Sequence, residues 1–373
     1  MGGKTKLENG VSELYLSYGG LITPLGDTVT ENFENMRSGK SGVQKVSESG
    51  FNKEDWPLGK ITSLTSENRY TEILEKICDA LIENVGNEVL SNERTLIIIS
   101  STKADITALP SDTFTSTRAI LKKKLNPAHA PLIISNACIS GVMAINTAAD
   151  YIIADKYDTV ITIGIDGLSD FIVYGFQSLF ALSDQSSKPF DKNRTGISIG
   201  EAAGAIVVSN KKPENGAFCV NYLGGSSSND ANHISGPSRT GEGLFRSINK
   251  TAERSNIDIQ DIDFISAHGT GTLYNDEMES IAFDRLNLNS VPVNSLKGYF
   301  GHTLGAAGII EVISTMLMME HGLLLKSPGF EEQGTTKKIN VLSENLEKEI
   351  QLALKTASGF GGGNASLILK KSL

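Results

Sequence analysis

The sequence predicts an α/β protein built from two similar layered halves. Short apolar runs alternate along the chain with segments of helical periodicity, the pattern of strands and helices packed in layers. The runs are continuously apolar, as in strands buried on both faces. At 373 residues the chain exceeds what one hydrophobic core usually serves. The turn-rich stretch KKPENG (211–216) divides it into 1–210 and 211–373, two segments of comparable texture.

The elements follow in order. RTLIIISS (94–101), APLIIS (130–135), DTVITIGID (158–166) and GAIVVS (204–209) read as buried strands. TEILEKICDALIENV (71–85) carries Ile73, Ile77, Leu81 and Ile82 at helical spacing, with Cys78 packed in the core. Beyond the dividing turn, AFCVNYLGG, DIDFISAHG and VPVNSLK read as strands, and GEGLFRSINKTAERSN and GIIEVISTMLMMEHG as helices. Cys219, in the first of these strands, reads as a core residue.

Composition narrows the function classes. Hydrophobic residues make up 39% and charged residues 21%, as in an ordinary globular chain. No apolar run reaches the ~18 residues of a membrane span, and the opening MGGKTKLENG has no apolar signal region. Three dispersed cysteines do not form a disulfide framework, so a reducing cytoplasm is the expected setting. The net charge of −9 and the lack of a long basic tract argue against nucleic acid as a partner. LKKKL (121–125) is a basic cluster and reads as a solvated helix face, with a docking patch as the alternative.

Candidate chemistry begins at SNACISGVMA (135–144). Cys138 stands between an apolar strand and the helix ISGVMAINTAADYIIA, which is apolar or small nearly all round. Gly141, Ala144, Ala148 and Ala149 mark that helix as central and closely approached by its neighbours. A cysteine at such a helix start is expected to have a lowered thiol pKa, because the dipole and free N–H groups favour the thiolate. Two of the five histidines lie in glycine-rich junctions after apparent strands: His268 in SAHGTGT and His302 in NSLKGYFGHTLGAAG. Together with the cysteine they suggest a nucleophile with acid–base partners. His129 and His321 read as structural, and His233 in NDANHISGP as a loop residue beside a channel. No pair has the spacing of metal ligands, so no metal is expected.

In this order the motifs resemble those of an elongating β-ketoacyl-acyl-carrier-protein synthase of the synthase I/II type, a thiolase-fold condensing enzyme. The resemblance rests on GGLITPLGDTVTENFENMRSGKSGV (19–43), NACISG (136–141), PFDKNRTGISIGEAAGAIVV (189–208), NDANHISGP (229–237), AHGTGTLYNDEMES (267–280), NSLKGYFGHTLGAAG (294–308) and GFGGGN (359–364). It implies a thiolase-like fold, two α/β halves in five αβαβα layers. It implies that Cys138 accepts an acyl chain from a carrier-protein thioester. His268 and His302 then promote decarboxylation of a malonyl carrier, whose carbanion extends the chain by two carbons. Lys297 and Glu279 would form a charged pair behind the histidines. Phe360 would gate the site, and the N–H groups of Cys138 and Phe360 would form an oxyanion hole. No cofactor is implied. The implied partners are acyl carrier protein and a second subunit, in a homodimer or in a heterodimer with a related chain; no nucleic acid or membrane span is implied.

The same residues separate the subfamilies. GFGGGN lacks the second cysteine of thiolases, His302 stands where chain-initiating synthases carry asparagine, and Cys138 is the residue that chain-length-factor subunits lack. Three departures bear on substrate. Ile139 follows the cysteine where a small or hydroxylated residue is common. Gly363 stands where a larger residue is common. The segment between IIISST and APLIIS is short, which suits a polyketide or aryl polyene-like pathway with a non-catalytic partner subunit. The alternatives are an acyltransferase using CoA thioesters and a subunit that shapes a partner's tunnel.

Overall fold

The computed structural model describes residues 13–231 and 236–372; His233 lies outside them. Strands β1 (Tyr15–Ile22), β2 (Thr95–Ser100), β3 (Leu132–Ile134), β4 (Thr159–Asp166) and β5 (Ala202–Ser209) belong to the first half. Strands β6 (Val220–Asn229), β7 (Phe264–Ser266), β8 (Pro292–Asn294), β9 (Asn340–Val341), β10 (Leu352–Gly359) and β11 (Gly363–Lys371) belong to the second. The first set is ordered β1-β5-β4-β2-β3 and the second β6-β11-β10-β7-β8, with β9 added outside β8. Along each order the pairings run antiparallel, antiparallel, parallel, parallel. One topology therefore occurs twice. The two sets are joined edge to edge where β1 meets β6, with Tyr15 opposite Asn221 and Leu16 opposite Val220.

Alternating strand residues sort the core into layers. Helix α1 (Arg69–Val85) packs Ile73 and Ile77 against Ile97, Ile99, Ile163 and Ala205 on the outer face of the first half. The residues between them, Leu96, Ile98, Val160 and Val208, point inward to α2 (Ser140–Ile153) and α5 (Ala307–His321). The same central cluster takes in Ala353, Leu367 and Leu369 from the second half. Helices α3 (Glu242–Ser255) and α4 (Leu273–Arg285) cover that half's outer face, with Leu244, Ile248 and Phe283 against Ile265, Leu354 and Ile368. The order from outside to outside is α, β, α, β, α, the five layers that the resemblance implies.

The two central helices cross over glycine. A Cβ on Gly141 would lie 2.7 Å from the Ile309 nitrogen, and one on Gly308 would lie 2.5 Å from the Val142 nitrogen. No side chain fits at either position, so the backbones meet. Leu304–His321 is apolar and long enough to cross a membrane, yet 89% of it is buried within the fold. It is the core helix of the molecule. LKKKL falls at the end of the helix Thr115–Lys124, where Lys124 pairs with Asp79 at 2.7 Å and Lys122 bonds Asn126; this is a surface helix face, as its sequence suggests.

Candidate active site

The chain turns sharply between β3 and α2. Ala137 lies in the left-handed region with φ 44°, an uncommon conformation for a residue with a side chain. Ser140 holds the turn: its hydroxyl donates to the Ala137 carbonyl at 2.6 Å and accepts from the Asn136 N–H at 2.7 Å. This places Cys138 at the floor of a cavity of about 390 Å³ that also receives His268, His302 and Phe360. A Cβ built on Gly359 would lie 3.0 Å from the Cys138 nitrogen, so the turn that carries Phe360 packs against the Cys138 turn.

The expectation of a lowered thiol pKa is not met. Burial pushes the Cys138 thiol up to about 12, against the opposing pull of Lys297 and the Phe360 N–H. The physical reason is position. Ile139, not Cys138, caps α2, and a thiolate in this dry pocket loses more hydration than the nearby donors return.

Each histidine is held by its Nδ1. Lys297 Nζ lies 3.3 Å from Nδ1 of His268, and an ammonium can only donate. The Leu304 N–H donates to Nδ1 of His302 at 3.1 Å. Both rings therefore carry their proton on Nε2. In His302 that atom is buried and has no partner among the described residues. The rings meet edge to face with centroids 5.1 Å apart. A ligating nitrogen of each histidine and the Cys138 sulfur all lie within 4.8 Å of one another. Burial first, then the positive charge of Lys297, holds both imidazoles well below the usual histidine range.

The residues behind the histidines correct the sequence reading. Lys297 does not pair with Glu279. Its carboxylate partner is Glu311 on α5, at 2.6 Å. Glu279 on α4 instead accepts the N–H of His268 at 2.8 Å and of Gly269 at 2.7 Å. It fixes the backbone that presents His268, and burial raises its carboxyl to about 7. The pairing fails because α4 approaches the backbone side of the loop, whereas α5 runs past the Lys297 side chain. Sequence reading also missed Lys355 on β10, whose Nζ lies 2.6 Å from the other Glu311 oxygen. The available signal was a single charge inside an apolar run, Glu311 in GIIEVIS and Lys355 in LALKTAS.

Phe360 is not a core residue. It is 42% exposed and stacks on Phe176 with ring centroids 5.7 Å apart, at the cavity wall. The next two residues, Gly361 and Gly362, have φ of 86° and 75°, so the turn depends on glycine. The remaining groups lie outside the cavity. His129 bonds the Glu93 carbonyl at 2.7 Å, His321 stacks on Phe33, and Cys78 and Cys219 are buried in strand and helix packing.

Two family models cover most of the catalytic region: the β-ketoacyl synthase N-terminal domain matches residues 127–214 and the C-terminal domain 220–331. A putative mitochondrial 3-oxoacyl-[acyl-carrier-protein] synthase of Schizosaccharomyces pombe is 28% identical, covering 95% of this chain and 98% of that one. The 3-oxoacyl-[acyl-carrier-protein] synthase 2 of Rhizobium meliloti is 32% identical over 68% of this chain and 63% of its own length. Among solved structures, the ishigamide ketosynthase/chain length factor superposes with a TM-score of 0.87 at 24% identity, covering 97% of this chain and 100% of that chain. With the duplicated topology, the five layers and the cysteine–histidine–histidine cavity, these matches show that the chain belongs to the β-ketoacyl synthases, the condensing acyltransferases of the thiolase fold.

Proposed function

We propose that Cys138, His268 and His302 carry out carrier-dependent decarboxylative condensation, with the cysteine as acyl acceptor. The convergence of the three groups within 4.8 Å in one cavity carries this reading. The thiol attacks an acyl-carrier thioester; the acyl–sulfur bond to the carrier breaks, and the thiol proton ends on the departing carrier. A malonyl carrier then enters. Its carboxylate carbon–carbon bond breaks, carbon dioxide leaves, and the electron pair passes into an enolate on the thioester oxygen. The Nε2–H groups of His268 and His302 are placed to donate to that oxygen, each worth roughly 3 kcal/mol by analogy with other oxyanion donors. The carbanion attacks the acyl-cysteine, the Cys138 sulfur leaves and takes up one proton from solvent to restore the thiol, and the N–H groups of Cys138 and Phe360 receive the intermediate oxyanion. Because both imidazoles are held well below their usual range, they stay neutral at neutral pH; on the acid side a proton on Nδ1 would keep the Nε2–H but break the bonds from Lys297 and the Leu304 N–H that orient the rings.

Intact-mass measurement with acyl-carrier thioesters, beside carbon dioxide release from malonyl carrier, tests the assignment. Cys138→Ala abolishes the acyl mass shift. His268→Ala and His302→Ala suppress carbon dioxide release more than loading. Loading that persists in Cys138→Ala overturns the reading.

The same proposal extends to the partners. The strand β3 ends the sheet with one edge unpaired among the described residues, and it leads directly into Asn136 and Cys138. We assign this edge to a second subunit, a second copy or a related chain; that a structural neighbour is a ketosynthase/chain length factor supports the related chain. We place the boundary of the two halves at 210/211, in the loop between β5 and β6. The three buried free thiols suit a reducing compartment.

A further inference from the structure

Lys355 has no part in the chemistry described so far, and its surroundings are unusual. It sits in the middle of β10, fully buried, as are Lys297, Glu311 and His268 to within 2%. Glu311 is held between two cations, with Lys297 Nζ 2.6 Å from one oxygen and Lys355 Nζ 2.6 Å from the other. Two lysines share one carboxylate here, and burial lowers the Lys355 pKa against the pull of Glu311. A buried ammonium is costly unless further groups solvate it. Those groups are backbone carbonyls: Lys355 donates to Ser266 at 3.2 Å and Ala267 at 3.3 Å, and Lys297 donates to the carbonyl of His268. Three consecutive carbonyls at the end of β7 are thus gripped by two lysines. The N–H groups of His268 and Gly269 are gripped from the other side by Glu279.

Resting on the condensing role assigned above, we propose that Lys355 is a positioning residue for the decarboxylation step. It anchors the strand end that carries His268. It fixes Glu311 so that Lys297 keeps its hydrogen on Nδ1 of His268. Its charge also disfavours the imidazolium, so Nε2–H remains a neutral donor to the enolate oxygen. The charged and titratable groups that face His268 are Lys297, Lys355 on β10, Glu311 on α5, Glu279 on α4 with Asp276 beyond it, His302 and Cys138. Lys355 is the cation among them that touches no ring atom and acts only through backbone, carboxylate and field.

Two variants test this, Lys355→Met, which keeps the length, and Lys355→Gln, which keeps a donor for the carbonyls without the charge. The expected result is acyl loading of Cys138 within about twofold of the parent and malonyl-carrier decarboxylation lower by about tenfold, a fraction of the ~100-fold that deletion of an oxyanion donor costs. The acid limb of decarboxylation moves up by about one pH unit, because loss of a neighbouring cation lets His268 protonate more readily. An unmoved acid limb, or equal loss of loading and decarboxylation with a lowered Tm, overturns the proposal and leaves Lys355 a structural residue. If neither variant folds, the parent decides by NMR with labelled lysine: a Lys355 side chain that carries its ammonium at the pH where decarboxylation is active supports the proposal, and a neutral Lys355 amine there overturns it. Absence of loading or of carbon dioxide release in the parent instead overturns the condensing role itself, so the two failures are distinguishable.

Discussion

Ile139 and Gly363 are two departures in sequence and one in space. A Cβ built on Gly363 would lie 2.8 Å from Cδ1 of Ile139, so the isoleucine fills the room that a larger residue at 363 would use. Ile139 is 2% exposed and packs in the central cluster. The coupling has a sign. Gly363→Thr alone should cost about 1–3 kcal/mol through overpacking. Ile139→Ala alone should cost about 2–5 kcal/mol through the cavity it leaves. The double variant should lose less than the sum, because the threonine occupies part of the vacated volume. Denaturant unfolding of the four proteins checks this, and strict additivity would show that the two positions do not share space.

At the scale of elements, the turn between β10 and β11 lies between the Cys138 cavity and solvent. Its aromatic residue leans on Phe176 at the cavity wall rather than on the core. On the proposed role of the Phe360 N–H as an oxyanion donor, ring position and oxyanion geometry would be linked through one residue. Phe360→Ala should lose less than the ~3–5 kcal/mol of a deleted core aromatic, since 42% of the residue is already exposed. It should also make the order of acyl and malonyl entry less strict. Unfolding in denaturant with parallel loading and decarboxylation assays checks both effects; a large stability loss with unchanged donor order would reject the gate.

The elements also show what sequence could reveal. Cys138, His268 and His302 were legible because each follows an apolar strand and borders small residues or glycine, an arrangement with few structural uses outside a site. The strand β1 was not read as such, because Gly19 and Gly20 interrupt YLSYGGLI where the register with β5 shifts between Tyr18 and Gly20. β10 was missed for a related reason: a lysine in mid-run marks a solvent-facing position by pattern, yet Lys355 is wholly buried. The choice between Glu279 and Glu311 for Lys297 depends on which helix passes the side chain, and spacing along the chain carries no information on that.

At the scale of the whole molecule, the halves are joined in two ways that differ in kind. The edge between β1 and β6 supplies two registered pairs, whereas α2 and α5 sink into one central cluster with strands from both halves. The cavity draws on the same layer: Cys138 arrives from the first half and both histidines from the second. Cooperativity between the halves should therefore reside in the helix crossing. Gly308→Val at that crossing should lower the unfolding midpoint sharply, because its side chain would meet the Val142 backbone at 2.5 Å and backbone cannot yield as a flexible side chain can. Chemical denaturation checks this, and a midpoint within experimental error of the parent would sink the idea.

The strands that flank β6 have a further consequence. Tyr15 and Leu16 lie opposite Asn221 and Val220 on one side, while Lys370 and Lys371 lie opposite the same two residues on the other. The last strand therefore ends where the first begins, one strand away, or about 10 Å at ordinary strand spacing. A short flexible linker can span that gap, and the loop at 211–213, exposed at 211 and 212, offers a place to open the chain. A circular permutant that begins at Lys212 and ends at Lys211 would present the halves in reverse order while keeping every strand pairing. Such a chain should fold to the same helix and strand content by circular dichroism and retain acyl loading at Cys138, because what this architecture requires is the meeting of the two halves over their shared helices and not the sequence in which a ribosome delivers them.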